Sequence, residues 1–202
     1  GCEAVLVHLS TDQVYSGIKP YWKESDAAAP VNTYGTSKAE AEEAIKASWP
    51  RSVILRSSII YGPHPPVPVQ RGLFLQFMDN ALGAGEKTVF FDDEFRSPIY
   101  VADLVAIIRA CIESQSESPQ AEVRVYNAGG PQRMSRVDMA VTLADARGYD
   151  RSAILPGPAA SVNRGVASPA DISMDVSLLQ EELGIRVRTF REALGDMGMI
   201  AS

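Results

Sequence analysis

Two short apolar runs on either side of a helical segment restrict the fold of this 202-residue chain more than any other feature. Residues 4–10 are almost continuously apolar, and residues 52–56 form a second short run of the same kind. Runs of this length without alternation are typical of strands buried on both faces in a parallel sheet. Between them, residues 32–48 follow a helical pattern, with Asn32 or Thr33 as N-cap. Strand, helix and strand in this order predict a right-handed parallel crossover.

The rest of the chain continues to mix the two kinds of element. Strands are expected near residues 87–91 and 123–127, and helices near residues 73–82, 103–112, 135–147, 175–183 and 189–194. Glu42 and Lys46 of the first helix are four residues apart and are expected to pair on its solvent side. Residues 113–121 are polar and are expected to form a surface loop. This order of elements predicts an α/β protein.

The start of the first predicted helix carries the clearest chemical signal. Tyr34 and Lys38 are four residues apart, so their side chains lie on one helical face. An ammonium group near a phenol favours the phenolate, which makes a tyrosine a usable acid or base near neutral pH. Thr11 directly follows the first predicted strand, and open parallel sheets bind ligands beyond the carboxyl ends of their strands. The sequence therefore predicts a crevice bordered by Thr11 and residues 57–63, with Tyr34 and Lys38 facing it.

Charge and composition narrow the functional class. The net charge of −6 and the scattered arginines argue against a nucleic-acid surface or a basic membrane patch. No apolar run is long enough to span a membrane and no secretion signal is evident, which predicts a cytoplasmic protein. Cys2 and Cys111 make no disulfide framework, and Cys111 is expected to be a buried thiol. His8 and His64 lack the spacing of metal ligands, so no metal site is predicted.

Five motifs occur in the order typical of the extended short-chain dehydrogenase/reductases, at residues 9–15, 34–38, 55–62, 96–103 and 171–175. Within that superfamily the chain resembles the dTDP-4-dehydrorhamnose reductases and the regulatory beta subunits of methionine adenosyltransferase. The resemblance implies the C-terminal part of a doubly wound parallel-sheet Rossmann domain, joined to a smaller mixed α/β substrate-binding domain. The expected boundaries are 1–62 and 99–127 for the partial NAD(P)-binding domain, and 63–98 and 128–202 for the substrate-binding region.

The resemblance also implies roles for individual residues. Thr11 would hydrogen-bond the substrate carbonyl, Tyr34 would donate the proton, and Lys38 would lower the tyrosine pKa while holding the nicotinamide ribose. The expected cofactor is NADP(H) or NAD(H), with Ser10, Tyr34, Lys38, Ser57, Ser58 and Ile59 as its binding residues. The expected substrate is a 4-keto nucleotide sugar, with Asp12, Gln13 and Arg96 as its binding residues.

Two of these assignments have an alternative interpretation. Asp12 could orient the turn after the first strand rather than take part in catalysis, and the structural role is the favoured interpretation. Arg96 resembles the arginine that nucleotide-sugar epimerases place on the substrate diphosphate, and it also suits a salt bridge at a helix start.

The sequence departs from the reductases in ways that leave two functions open. It has no Gly-x-x-Gly-x-x-Gly turn between a strand and a helix, so the pyrophosphate-binding half of the Rossmann domain is expected to be missing from this chain. Ile59 stands where the rhamnose reductases have tryptophan, and Gln13 stands where they have tyrosine. The beta subunits also carry isoleucine at the Ile59 position. The chain is therefore predicted to be a nucleotide-sugar reductase or a non-catalytic partner of a methionine adenosyltransferase catalytic subunit.

Overall fold

The computed structural model describes residues 4–65, 67, 72–118 and 122–200, so Cys2 lies outside the described residues. The strands are β1 (Leu6–Thr11), β2 (Ser52–Ser57), β3 (Ile60–Tyr61), β4 (Thr88–Phe91), β5 (Ile99–Tyr100), β6 (Arg124–Ala128) and β7 (Ile154–Gly157). The helices are α1 (Thr33–Ser48), α2 (Phe74–Gly83), α3 (Val101–Glu117), α4 (Arg136–Arg147), α5 (Ser177–Leu183) and α6 (Phe190–Asp196). This order confirms the predicted α/β class.

A parallel sheet with the strand order β1-β2-β6, called the central sheet below, joins strands from both halves of the chain. The parallel pairing of β1 with β2 on either side of α1 confirms the predicted crossover connection. All residues of β2 are buried, whereas in β1 the side chain of Leu9 is 41% exposed. The predicted burial on both faces is therefore wrong for β1. Within the described residues β1 is an outer strand of this sheet, so its neighbours cover less of it.

Helices α3 and α5 pack against the central sheet. The cluster that they share with it comprises Val53, Leu55, Ile99, Leu104, Ile107, Cys111, Tyr126, Ala128, Leu179 and Val187. Cys111 is buried as predicted, and burial raises the pKa of its thiol to about 12. α3 continues to Glu117, so the prediction of a loop from residue 113 is wrong. In this added part of the helix Gln115 is buried, and its Nε2 donates to the Glu122 carbonyl at 2.9 Å.

A second apolar core lies among α2, α4, α6 and the parallel pair β4–β7. The sequence did not predict β7, which is only four residues long and contains a proline and a glycine. Ser135 and Asp138 form the predicted capping box at the start of α4, and Gly148 ends that helix in a left-handed conformation. Among the described helices, none has the length and apolar character needed to cross a membrane.

Candidate active site

The carboxyl edge of the central sheet brings Thr11 and Ser57 side by side, since they are the last paired residues of β1 and β2. Thr11 also caps the short 3-10 turn that follows β1, because its Oγ1 accepts a hydrogen bond from the Gln13 N–H at 3.2 Å. The same hydroxyl donates to Asp12 Oδ1 at 3.2 Å. The two strand ends are adjacent as predicted, and the catalytic role of Thr11 stays a prediction.

Asp12 connects the two strand ends. Its Oδ2 accepts a hydrogen bond from Ser58 Oγ at 2.7 Å, and Ser58 Oγ accepts one from the Ser97 N–H at 3.2 Å. Burial raises the pKa of this carboxyl, against the opposing effects of Arg96 and of the hydrogen bonds from Ser58 and Thr11. These contacts fit a residue that orients the turn after β1, and the predicted contact of Asp12 with substrate stays a prediction.

The first turn of α1 is fixed to the turn after β1. Asn32 caps the helix by accepting a hydrogen bond from the Gly35 N–H at 2.8 Å, and its Nδ2 donates to Gln13 Oε1 at 2.8 Å. An ideal Cβ at Gly35 would lie 2.2 Å from the Gln13 carbonyl oxygen, so only glycine fits there. A larger side chain would move the helix start, and with it Tyr34, away from the sheet edge. The predicted contact of Gln13 with substrate stays a prediction.

Tyr34 and Lys38 lie beside the end of β1. Lys38 Nζ donates to the Leu9 carbonyl at 2.8 Å, which places the ammonium group on the outer strand of the sheet. The Tyr34 side chain is 51% exposed. Within the described residues, no hydrogen bond connects the Tyr34 hydroxyl to Thr11 or to Lys38. The structure thus gathers the three predicted catalytic residues around one strand end without connecting the tyrosine directly to the other two.

A buried ion pair behind this site joins α1 to β2. Arg56 Nη2 lies 2.7 Å from Glu42 Oε2, and the two side chains are 4% and 1% exposed. Ser10 Oγ donates to the same carboxylate at 2.6 Å. Burial alone would lower the pKa of Arg56, but the hydrogen bonds to Glu42 outweigh it and raise that pKa. The predicted Glu42–Lys46 surface pair is wrong, because α1 directs Glu42 towards β2, and Lys46 pairs with Glu43 instead.

This network continues across the sheet through a row of polar side chains. Ser10, Arg56 and Asn127 are neighbours in the register of β1, β2 and β6. Arg56 Nη1 donates to the Tyr15 hydroxyl at 3.0 Å, and that hydroxyl donates to Asn127 Oδ1 at 2.7 Å. The sequence interpretation missed this network. An arginine inside an otherwise apolar strand was the available signal, since a buried arginine needs a partner.

The residues after β2 are partly engaged within the chain. Ser57 Oγ donates to the Ser58 carbonyl at 3.2 Å, and the Ile59 carbonyl accepts a hydrogen bond from the Ile99 N–H at 2.8 Å. Ser57 and Ser58 are buried, whereas Ile59 is half-buried. The cofactor-binding roles of these three residues and of Ser10 stay predictions.

Arg96 is buried against the second half of the chain. Its Nη2 donates to the Pro169 carbonyl at 2.9 Å and lies 3.6 Å from Glu94 Oε2. A salt bridge at the start of α3 does form, but it joins Asp103 to Arg188 rather than to Arg96. The predicted contact of Arg96 with a substrate diphosphate stays a prediction, and this guanidinium already has partners within the chain.

Comparison with known proteins connects this geometry to a family. A family model described as the RmlD substrate binding domain matches residues 1–200. Methionine adenosyltransferase 2 subunit beta of Danio rerio is 26% identical over 193 residues, which cover 95% of this chain and 58% of that protein. The dTDP-4-dehydrorhamnose reductase of Aggregatibacter actinomycetemcomitans is 26% identical over 197 residues, which cover 95% of this chain and 65% of that protein.

A solved structure shows the same fold. The dTDP-4-dehydrorhamnose reductase of Bacillus anthracis strain Ames, in complex with NADP, matches with a TM-score of 0.84 and 24% identity. The match covers 97% of this chain and 66% of that one. The chain therefore spans less than two thirds of the length of each of these three proteins.

Proposed function

Because the chain belongs to the family of RmlD substrate-binding domains, we propose that it carries the proton-transfer site of an NADP(H)- or NAD(H)-dependent reductase of a 4-keto nucleotide sugar. The observation that carries this proposal is the arrangement of Thr11, Tyr34 and Lys38 around the carboxyl end of β1. The reductase from Aggregatibacter actinomycetemcomitans supports it, since its similarity extends over 95% of this chain. A cytoplasmic location is part of the proposal.

The chain's own residues fit the nicotinamide end of a dinucleotide. Lys38 offers an ammonium group and Tyr34 a half-exposed phenol at the same strand end, and both suit the hydroxyl groups of a ribose. Ser10, Ser57, Ser58 and Ile59 are the remaining residues proposed to contact the cofactor. The sequence has no glycine-rich turn to hold the pyrophosphate, so this chain alone is expected to bind a dinucleotide weakly. When bound, the dinucleotide supplies the hydride.

The protein's part in the reaction is proton donation and charge stabilisation. The Tyr34 hydroxyl gives its proton to the substrate carbonyl oxygen, and the Lys38 ammonium compensates the negative charge left on the tyrosine. The Thr11 hydroxyl, which donates to Asp12 in this structure, rotates towards the same oxygen. Two donors directed at one oxygen stabilise the negative charge that develops on it.

Replacement of Tyr34 by phenylalanine tests this mechanism. In the protein expressed from the complete gene, NADPH oxidation with dTDP-4-dehydrorhamnose is expected to slow by at least ~100-fold in kcat, because the proton donor is lost. KM is expected to change little. Tyr21→Phe is the matched control, since Tyr21 is 54% exposed and lies outside the site. Unchanged turnover in Tyr34→Phe would show that another group donates the proton.

We also propose the division of the chain at residues 62, 98 and 127. In its support, β6 pairs in the same sheet as β1 and β2, whereas β4 and β7 pair in a separate sheet. The segments 1–62 and 99–127 would then form the partial dinucleotide-binding domain, and 63–98 and 128–202 the substrate-binding region.

A regulatory role is the second candidate function. It is favoured by the similarity to methionine adenosyltransferase 2 subunit beta, which covers 95% of this chain. The engagement of Arg96 within the chain favours it as well, because a guanidinium with internal partners is less available to a substrate. Under this proposal the partner is a methionine adenosyltransferase catalytic subunit, and the chain changes its kinetics.

Co-purification with such a catalytic subunit, followed by assay of S-adenosylmethionine synthesis, tests the second function. A regulatory subunit is expected to change the kinetics to the same extent in the wild type and in the Tyr34→Phe variant. No association, or an effect abolished by Tyr34→Phe, would contradict a purely regulatory role.

A further inference from the structure

We propose that Arg136, the first residue of α4, anchors a binding site for a phosphate or diphosphate group. The proposal deepens the proposed function and rests on it for one point only, that the natural ligand is a nucleotide derivative. It differs from the prediction made from the sequence, which assigned this role to Arg96.

Arg136 is half-buried, and one of its guanidinium nitrogens lacks a hydrogen-bond partner within the described residues. Its Nη1 is buried and has no hydrogen-bond partner, and within the described chain the side chain forms no hydrogen bond or ion pair. Its guanidinium carbon lies 4.7 Å from the centre of the Phe74 ring, so the group packs on an aromatic face. A buried charged donor without an acceptor costs about 1–3 kcal/mol or more. Within the described residues the Phe74 ring packs on this group, but no acceptor offsets the cost at Nη1.

The other arginines of this region are already paired. Arg96 lies 3.6 Å from Glu94, and Arg164 binds the same carboxylate. Arg133 Nε lies 2.7 Å from Asp171 Oδ2. These three guanidinium groups share two carboxylates, and within the described residues neither carboxylate forms an ion pair with Arg136. Arg136 is therefore the arginine of this group that has no ion-pair partner there.

The surrounding charge favours an anion at this place. Burial, followed by the positive charge of Arg96, lowers the pKa of Arg136 to about 10, and the charges of Glu94 and Asp12 offset this only in part. Arg136 also stands in the first turn of a twelve-residue helix, where the backbone N–H groups make the potential more positive. A cation at this end of a helix is unfavourable for stability. An anion bound there would offset both unfavourable effects, the repulsion from Arg96 and the positive potential of the helix end.

The position of Arg136 suits a ligand that also reaches the candidate active site. Arg96 and Met134 exchange two backbone hydrogen bonds, of 3.0 and 2.8 Å. These bonds fix the segment that leads into α4 beside Arg96, which immediately precedes Ser97. Ser97 in turn donates to Ser58, the partner of Asp12. Glu94 and Arg164 line a neighbouring cavity of about 660 Å³ that is open to solvent. Phosphate is the expected ligand group because a guanidinium can bind two of its oxygens at once.

Calorimetric titration of the 202-residue chain tests the site with three probes: inorganic pyrophosphate, thymidine diphosphate and NADP. The variants are Arg136→Gln and Arg136→Lys. Arg109→Gln is the control, because Arg109 has an exposed side chain on α3 and this substitution also removes one positive charge. We expect Arg136→Gln to bind pyrophosphate at least ~10-fold more weakly than the wild type. Arg136→Lys is expected to lose part of that affinity, and Arg109→Gln none.

Each outcome decides the proposal. Absence of pyrophosphate binding by the wild type, or equal affinities in all variants, would overturn it. A loss shared by pyrophosphate and thymidine diphosphate but not by NADP would support a substrate site, and a loss shared by pyrophosphate and NADP but not by thymidine diphosphate would support a cofactor site. Since the readout is binding without turnover, failure of the reductase mechanism leaves this test intact. Thermal unfolding confirms that each variant is folded, and Arg136→Lys keeps the charge if Arg136→Gln does not fold.

Discussion

Arg56 in β2 and Arg136 at the start of α4 differ in the partners that the fold gives them. Arg56 makes a two-pronged ion pair with Glu42, and a further hydrogen bond connects it to Tyr15. Arg136 has an aromatic ring beneath it but no acceptor within the described residues. The pKa of Arg56 is raised although burial opposes this, whereas burial lowers the pKa of Arg136.

The difference in partners suggests different roles for the two arginines, structural for Arg56 and ligand-binding for Arg136. Glu42 and Arg56 hold α1 against β2, which positions Lys38 and Tyr34 in the preceding turns of the same helix. They are positioning residues, and their partners lie within the chain. For Arg136, in contrast, the proposed partner is an external anion. The following predictions test this contrast, beginning with the largest expected effect.

Removal of the Glu42 carboxylate should have the largest effect on stability. Glu42→Ala leaves Arg56 buried without its partner, and the free energy of unfolding is expected to fall by about 3–5 kcal/mol. Urea denaturation measures this change. Glu43→Ala is the control, because Glu43 is an exposed neighbour that pairs with Lys46 on the helix surface, and about 0.5 kcal/mol or less is expected. Equal effects of the two substitutions would mean that the buried pair does not hold α1.

Replacing both partners of this pair should restore much of the loss. The double variant Glu42→Leu with Arg56→Met removes both charges and keeps similar side-chain volumes, so no unpaired charge remains. We expect a coupling free energy of about 1–3 kcal/mol in a double-mutant cycle measured by urea denaturation. Additive effects of the two single substitutions would show that they do not interact.

Because the pKa of Asp12 is raised in the folded state, the free energy of unfolding should depend on pH. Burial raises the pKa of this carboxyl above its usual 3.8, so the folded state holds the proton where the unfolded state has released it. The contribution of Asp12 to stability therefore falls as the pH rises from about 4 through the raised pKa.

The comparison of wild type with Asp12→Asn isolates this effect. Urea denaturation between pH 4 and pH 7 is expected to show the variant gaining relative stability as the pH rises, by less than about 2 kcal/mol in total. Other carboxyl groups cancel in the difference. A difference that stays constant over this range would exclude Asp12 as the source of the dependence.

Arg136→Gln should have the smallest effect on the free chain. Because the substitution removes a half-buried charge that has no ion-pair partner within the described residues, the free energy of unfolding is expected to change by less than about 1 kcal/mol, or to rise. Arg56→Gln, measured in the same way, is expected to lose several times more. If Arg136→Gln were as destabilising as Arg56→Gln, Arg136 would be a structural residue, and the contrast between the two arginines would disappear.

Local patterns predicted most of the first half of the chain. The apolar runs and the intervening helix were sufficient to predict the parallel crossover, because apolar runs and helix caps are patterns of residues that are adjacent in the sequence. The family resemblance, which the match over residues 1–200 confirms, rested on motifs of the same local kind. The failures occurred where the environment comes from distant residues. Glu42 and Lys46 have the spacing of a surface pair, yet β2 supplies a buried partner for Glu42.

By itself the sequence determined the α/β class, the parallel crossover and the placement of Thr11, Tyr34 and Lys38 near one strand end. Only the tertiary structure decided which charges are compensated. Arg56, Arg96 and Arg136 are the same residue type, but their partners differ. Arg56 pairs with Glu42 and Arg96 with Glu94, whereas the Nη1 of Arg136 has no hydrogen-bond partner within the described residues. The physical reason is that secondary structure follows from neighbours along the chain, whereas the free energy of a buried charge depends on groups that only the fold brings together.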